Sequence, residues 1–142
     1  MRTFSAALGV TMMFSSVLSA QQGGVSYEHL VRASEDPGNW LMHSGQYHSQ
    51  RFSSLDEINR ANVSRLRLKW VRQLPTLGQV QTSPLVVDGV MYLTTPENEV
   101  YALDASTGNV FWTYQHDLSD TLTLCCSKQS RGVGILGDRL YL

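Results

Sequence analysis

The sequence predicts an all-β chain that builds one blade of a β-propeller and the start of the next, on three observations. Residues 83–112 hold short apolar runs at Pro84–Val87, Val90–Thr94 and Val100–Leu103, with a fourth opening at Val110. Only turns separate them: Asp88-Gly89, then Thr95-Pro96-Glu97-Asn98, then Ala105-Ser106-Thr107-Gly108-Asn109. None has room for a helical crossover, so neighbouring strands must pair antiparallel, as a meander. The unit also recurs, since Val87-Asp88-Gly89-Val90-Met91-Tyr92-Leu93 is echoed by Leu136-Gly137-Asp138-Arg139-Leu140-Tyr141-Leu142, 49 positions on. Upstream, Leu68-Lys69-Trp70 echoes Val110-Phe111-Trp112. A period of roughly 50 residues with about four strands per unit is the signature of a propeller blade. A lone β-sandwich is the alternative arrangement of the same strands.

Within the first blade, Asp-Gly is the strongest short-range hairpin signal, because its positive φ angles match the twist of the strands it joins. Blades bury their faces on one another, so residues 83–142 are expected to need neighbours. Leu142 falls inside an apolar strand, and the chain reads as the N-terminal piece of a longer protein. Alone it would present open strand edges.

The 142 residues carry 11 basic and 12 acidic side chains, a formal net charge of −1. That balance gives no general pull towards nucleic acid or an anionic membrane. Arg60, Arg65, Arg67, Lys69 and Arg72 form a local basic run, read as a solvated face.

Residues 1–20 read as an export signal. Arg2 gives the positive start, Phe4 to Leu18 is uncharged and mostly apolar, and small residues follow at Ser19-Ala20. The interspersed serines and short core argue against a stable membrane span. The mature chain is therefore expected in an oxidising compartment, the periplasm for a bacterial source. Residues 21–37 read as a linker with a short helix, Tyr27 to Ala33, stopped before Pro37; the propeller segment is residues 38–142. Ser54 with Glu57 fits a capping box, predicting a helical turn through Ile58. Asn62 caps a second turn in which Val63 and Leu66 pack, and Leu66 to Leu74 alternates as a strand carrying Trp70. The histidines at 29, 43, 48 and 116 have no metal-ligand spacing with the cysteines. Glu97 and Glu99 are read as turn residues on the surface.

Cys125 and Cys126 are adjacent and are the only two cysteines. Two buried thiols side by side are one reading. A bond between such neighbours is the other. It would strain the intervening peptide and close almost no loop, so its value would lie in local shape, a rigid and polarizable sulfur surface. Arg131 follows five residues later, near enough to hold a cation beside that surface.

At these residues the sequence resembles the exported quinoprotein alcohol dehydrogenases, which use pyrroloquinoline quinone (PQQ) and calcium in an eight-bladed propeller. The resemblance runs from about residue 38 to 142. It rests on Trp40, Gly45, Arg51-Phe52-Ser53, Leu55, Ile58, Asn62-Val63, Leu66, Trp70 and the stretch from Ser83 to Gly89. It rests also on a tryptophan-docking repeat with Ala102, Asp104, Thr107, Gly108 and Trp112 in place, and on the Cys125-Cys126 pair followed by Arg131-Gly132. The resemblance implies that Cys125 and Cys126 form a vicinal disulfide against one face of PQQ. It implies that Arg131 reaches a quinone oxygen where negative charge develops. Gln81 falls where relatives may carry a glutamate contacting the cofactor, and its amide can still hydrogen-bond PQQ. Trp112 would pack between neighbouring blades. Calcium ligands and the catalytic base would lie beyond Leu142. The implied reaction is oxidation of an alcohol by hydride transfer to PQQ, with electrons passed to a cytochrome c, carried out by the complete chain and not by these residues alone.

Three other readings compete. A cofactor-free propeller scaffold of the cell envelope predicts the blade motifs but not the cysteine pair with its arginine. A membrane-linked PQQ sugar dehydrogenase fits less well at that pair. A thiol–disulfide oxidoreductase would space its cysteines by two residues on a different fold.

Overall fold

The computed structural model describes residues 24–117, 119, 121 and 129–142. Its centre is a four-stranded antiparallel sheet in the order β1 (Leu85–Val87), β2 (Val90–Thr94), β3 (Glu99–Asp104) and β4 (Val110–Gln115). Asp88 and Gly89, at φ 49° and 79°, close the first hairpin with Val87 facing Val90. Both angles are positive, as the tight turn requires. Asn98, at φ 65°, serves the second turn, where Thr95 N–H donates to Glu99 O at 2.9 Å. The third turn is organised by Asp104. Its carbonyl accepts from Thr107 and Gly108 N–H, and its carboxylate accepts from Ser106 N–H at 2.7 Å. A register shift between Ala102 and Leu103 opposite β4 places Trp112 across from Ala102.

The meander is as expected, with one correction: Glu99 begins β3, half-buried, where the sequence had suggested an exposed turn. Its carboxylate takes a hydrogen bond from Tyr101 two residues on, which lies on the same face of the strand. Leu93, Tyr101 and Leu103 form the core of this sheet, with Leu74, Met91 and Val110 packed against them. The second blade begins as the hairpin β5 (Gly134–Leu136) and β6 (Arg139–Tyr141), turning at the predicted Gly137-Asp138.

An N-terminal strap joins the two sheets. Helix α1, Tyr27–Val31, is capped by the Ser26 hydroxyl, which accepts from His29 N–H at 3.1 Å, and a short 3-10 turn covers Ala33–Glu35. Before α1, Val25 O accepts from Gly137 N–H in the second hairpin. After it, Trp40 and Val86 exchange backbone hydrogen bonds at 2.8 and 2.9 Å. Val25, Ala33 and Leu41 are buried between them, in contact with Val87 of one sheet and Ile135 of the other.

Residues 51–80 depart from expectation. There is no helical turn from Ser54 to Ile58, and the Ser53 hydroxyl, not that of Ser54, accepts from Leu55 N–H. Asn62 does not cap the turn that follows it. Its side chain instead folds back to Asn59 N–H and Glu57 O, and only a 3-10 turn forms, at Val63–Arg65. Val63 and Leu66 are exposed, as are Leu55 and Ile58. A short helix in water depends on burying an apolar face, and these residues have none to meet among the described ones. Residues 66–74 form no ladder, because among the described residues no neighbouring strand presents its backbone to them. The basic run from Arg60 to Arg72 is solvated, as read from the sequence.

Candidate functional site

Trp70 is the first contact that the fold assembles from distant residues. Its indole Nε1 donates to Ala105 O at 3.2 Å, and its ring lies so close to Gly108 that a Cβ there would stand 2.5 Å from Cε3. Gly108, at φ 73°, is thus required twice, by its backbone angle and by the ring above it. Trp70 reaches the Asp104–Gly108 turn from a segment outside the four strands. Trp112, the tryptophan inside the repeat, is instead partly exposed and meets only the Tyr92 ring among the described aromatics, with centroids 6.0 Å apart.

The second contact joins the two segments that carry the candidate cofactor residues Gln81 and Arg131. Ser83 N–H donates to Arg131 O at 3.0 Å, which brings the residues after the cysteine pair alongside the entry to β1. Gln81 lies two residues before Ser83, so Gln81 and Arg131 stand on adjoining segments although 50 positions separate them in sequence. Gln81 is exposed, and its amide nitrogen makes only a long 3.4 Å contact with Gln79 Oε1. Arg131 is also exposed, and among the described residues no carboxylate pairs with its guanidinium. Cys125 and Cys126 lie outside the described residues.

Beneath these segments is a set of threonine hydroxyls that pattern reading had passed over. Thr94, fully buried at the end of β2, donates its N–H to Thr82 Oγ1 at 3.1 Å, and the two hydroxyls are 3.3 Å apart. The adjacent Thr95 Oγ1 is buried with no hydrogen-bond partner among the described residues. Polar residues ending an apolar strand were the available signal, but in sequence they look like ordinary turn residues.

The donor set suits a ligand that presents anionic or carbonyl oxygens. Arg131 offers a permanent planar cation and Gln81 an amide able to donate and accept, and neither is committed to a strong partner among the described residues. Among the described residues there is no group of three or more His, Cys, Asp or Glu placed to hold an ion. His29, His43, His48 and His116 are all exposed. No described helix is long and apolar enough to cross a membrane.

A four-stranded antiparallel blade with a docked tryptophan, followed by the opening hairpin of a second blade, defines a β-propeller segment. Residues 40–140 match the PQQ family, described as the glucose/ethanol/alcohol dehydrogenase β-propeller domain, and the chain belongs to that family. It is 37% identical over 131 residues to the dehydrogenase subunit of the quinone alcohol dehydrogenase of Gluconacetobacter polyoxogenes, covering 90% of this chain and 18% of that one. It is 33% identical over 145 residues to the quinohemoprotein alcohol dehydrogenase ADH-IIG of Pseudomonas putida, covering 20% of its length. The solved structure of ADHIIG from Pseudomonas putida HK5 superposes with a TM-score of 0.71 at 36% identity, over 81% of this chain and 17% of that one. A europium-containing methanol dehydrogenase superposes with a TM-score of 0.63 at 34% identity, over 75% of this chain and 19% of that one. The chain thus spans about a fifth of the length of these relatives.

Proposed function

We propose that this chain is the N-terminal part of a periplasmic PQQ- and calcium-dependent alcohol dehydrogenase, and that its contribution is one wall of the cofactor site. The observation that carries the reading is the pairing of Ser83 N–H with Arg131 O, which sets the backbone of an exposed arginine beside the segment of Gln81. When bound, PQQ would supply the two-electron acceptor for hydride from an alcohol, giving an aldehyde, with the electrons leaving to a cytochrome c. Arg131 would hold a quinone oxygen by charge-assisted hydrogen bonds, stabilising negative charge as it develops there. Gln81 would hydrogen-bond the cofactor's rim. Cys125 and Cys126, joined as a vicinal disulfide, would form the flat surface on which the ring rests and from which water is excluded.

Calcium would be held by residues contributed from elsewhere in the complete enzyme. A hard, oxygen-seeking cation is consistent with the europium named for one structural relative. The periplasmic assignment rests on residues 1–20 as an export signal. These 142 residues alone supply one wall and would not turn over substrate.

The test is the native protein in its source cells, followed with an antibody against the mature segment. A species several times heavier than 15.9 kDa, which reduces a dye on alcohol addition only after PQQ and calcium are supplied, supports the reading. A stable product of 15.9 kDa or less that takes up no PQQ overturns it.

A further inference from the structure

We infer that Thr82 and Gly132 are positioning residues that aim Arg131 at the cofactor, an inference that rests on the PQQ reading above. Arg131 is exposed, and neither strand nor helix holds its backbone. What holds it is a bracket anchored in the core. Thr94 is fully buried at the end of β2, paired with Val100 on β3 and beyond the reach of the β1 ladder, which ends at Tyr92. Thr94 N–H and hydroxyl fasten the Thr82 Oγ1, and the next residue, Ser83, donates its N–H to Arg131 O at 3.0 Å. Pro84 follows and has no N–H, so Ser83 is the last donor before β1.

Gly132 closes the bracket from the other side. It sits at φ 124°, and a Cβ there would lie 2.9 Å from the Ser83 carbonyl oxygen and 3.7 Å from Thr82 Oγ1. The obstructing atom at 2.9 Å is backbone, which cannot swing aside as a side chain would. Any side chain at 132 therefore separates the Arg131 segment from the Thr82–Ser83 segment. The same bracket sets Gln81, joined to Thr82, in register with Arg131. The spacing between cation and amide is thus determined by the buried end of β2 and not by the exposed residues themselves.

The test compares Gly132→Ala with Gly89→Ala in the complete enzyme. Gly89 also has a positive φ, 79°, but nothing lies within 4 Å of a Cβ there, so its variant carries the backbone strain without the collision. Apo-protein is titrated with PQQ by absorbance and fluorescence, and thermal unfolding is recorded in parallel. The expected result is a PQQ dissociation constant raised about tenfold in Gly132→Ala, the scale of one charged hydrogen bond misplaced, and unchanged in Gly89→Ala. Thr82→Val, which keeps the shape of the side chain and removes the oxygen, gives the same direction of change and keeps the question answerable where Gly132→Ala does not fold. A double variant with Arg131→Lys adds the readout that a merely structural role would not move. Once the guanidinium fork is gone, Gly132→Ala or Thr82→Val should weaken PQQ binding little further. Equal losses in both backgrounds, or PQQ affinity that falls only in proportion to melting temperature, overturn the inference. If the unaltered enzyme takes up no PQQ, the cofactor reading itself fails.

Discussion

Trp70 lies against the backbone of Gly108 and donates its indole N–H to Ala105 O at 3.2 Å, tying a segment outside the sheet to the turn between β3 and β4. The contact needs both partners: the ring fills the space that a side chain at 108 would occupy. Trp70→Leu removes the hydrogen bond and part of the ring's contact area, and is expected to cost about 2 kcal/mol. Gly108→Ala meets the same ring at a positive φ and should cost a similar amount. Urea unfolding of the two single variants and the double variant checks this. Because both break one contact, their combined effect should fall well short of the sum.

The turn that receives Trp70 also makes stability depend on acid. Hydrogen bonds from Ser106, and then from Thr107, hold the Asp104 carboxyl below its ordinary value of 3.8. The folded chain therefore binds that proton less readily than the unfolded chain. Its contribution is complete above 3.8 and is lost as pH falls through the lower folded value. Asp104→Asn should flatten this acid limb. Melting temperatures of the two proteins that converge as pH falls below 3.8 are the expected result.

At the alkaline end Tyr101 acts in the opposite sense. Burial, followed by its hydrogen bond to Glu99, pushes its hydroxyl from 10.0 up to about 12. The neutral phenol's contribution is complete below 10.0 and is lost as pH rises towards 12. Tyr101→Phe removes the titrating group, and its stability should vary less with pH across that interval. Denaturant melts at stepped pH measure the difference.

The cysteine pair gives a prediction about the cofactor. Cys125→Ser in the complete enzyme should raise the PQQ dissociation constant roughly tenfold, equivalent to about 1.4 kcal/mol of binding. Thiol labelling of the unaltered, unreduced protein should find no free thiol. Unchanged PQQ content and turnover in the variant would remove the role assigned to the pair.

Gln81 should matter less, since a neutral amide hydrogen bond is worth about 1 kcal/mol. Gln81→Ala is expected to weaken PQQ binding about fivefold with no change in melting temperature, the residue being exposed. Titration of the apo-enzyme reads this directly. A fall in melting temperature without a change in affinity would place the amide in the structure rather than in the site.

The sequence by itself determined the meander. Asp88-Gly89, the Thr95–Asn98 turn and the Asp104–Gly108 turn each impose a local backbone geometry, and strands joined by such short links can pair in only one way. The second hairpin at Gly137-Asp138 was legible for the same reason. The family was legible too, through the docking repeat and the cysteine pair with its arginine.

The tertiary structure decided what depends on distant partners. Local caps at Ser54 and Asn62 suggested helical turns, but no surface covers Leu55, Ile58, Val63 or Leu66 among the described residues, and burial decides the fate of a short helix. Trp70 and Trp112 look equivalent in the repeat, yet Trp70 alone reaches Gly108 and Ala105, because docking depends on which turn the fold carries beneath each ring. Nothing in local pattern places Arg131 beside Ser83 or seats Thr82 on buried Thr94. Backbone hydrogen bonds between segments some 50 positions apart are chosen by packing of the whole, and the spacing of the candidate site is chosen with them.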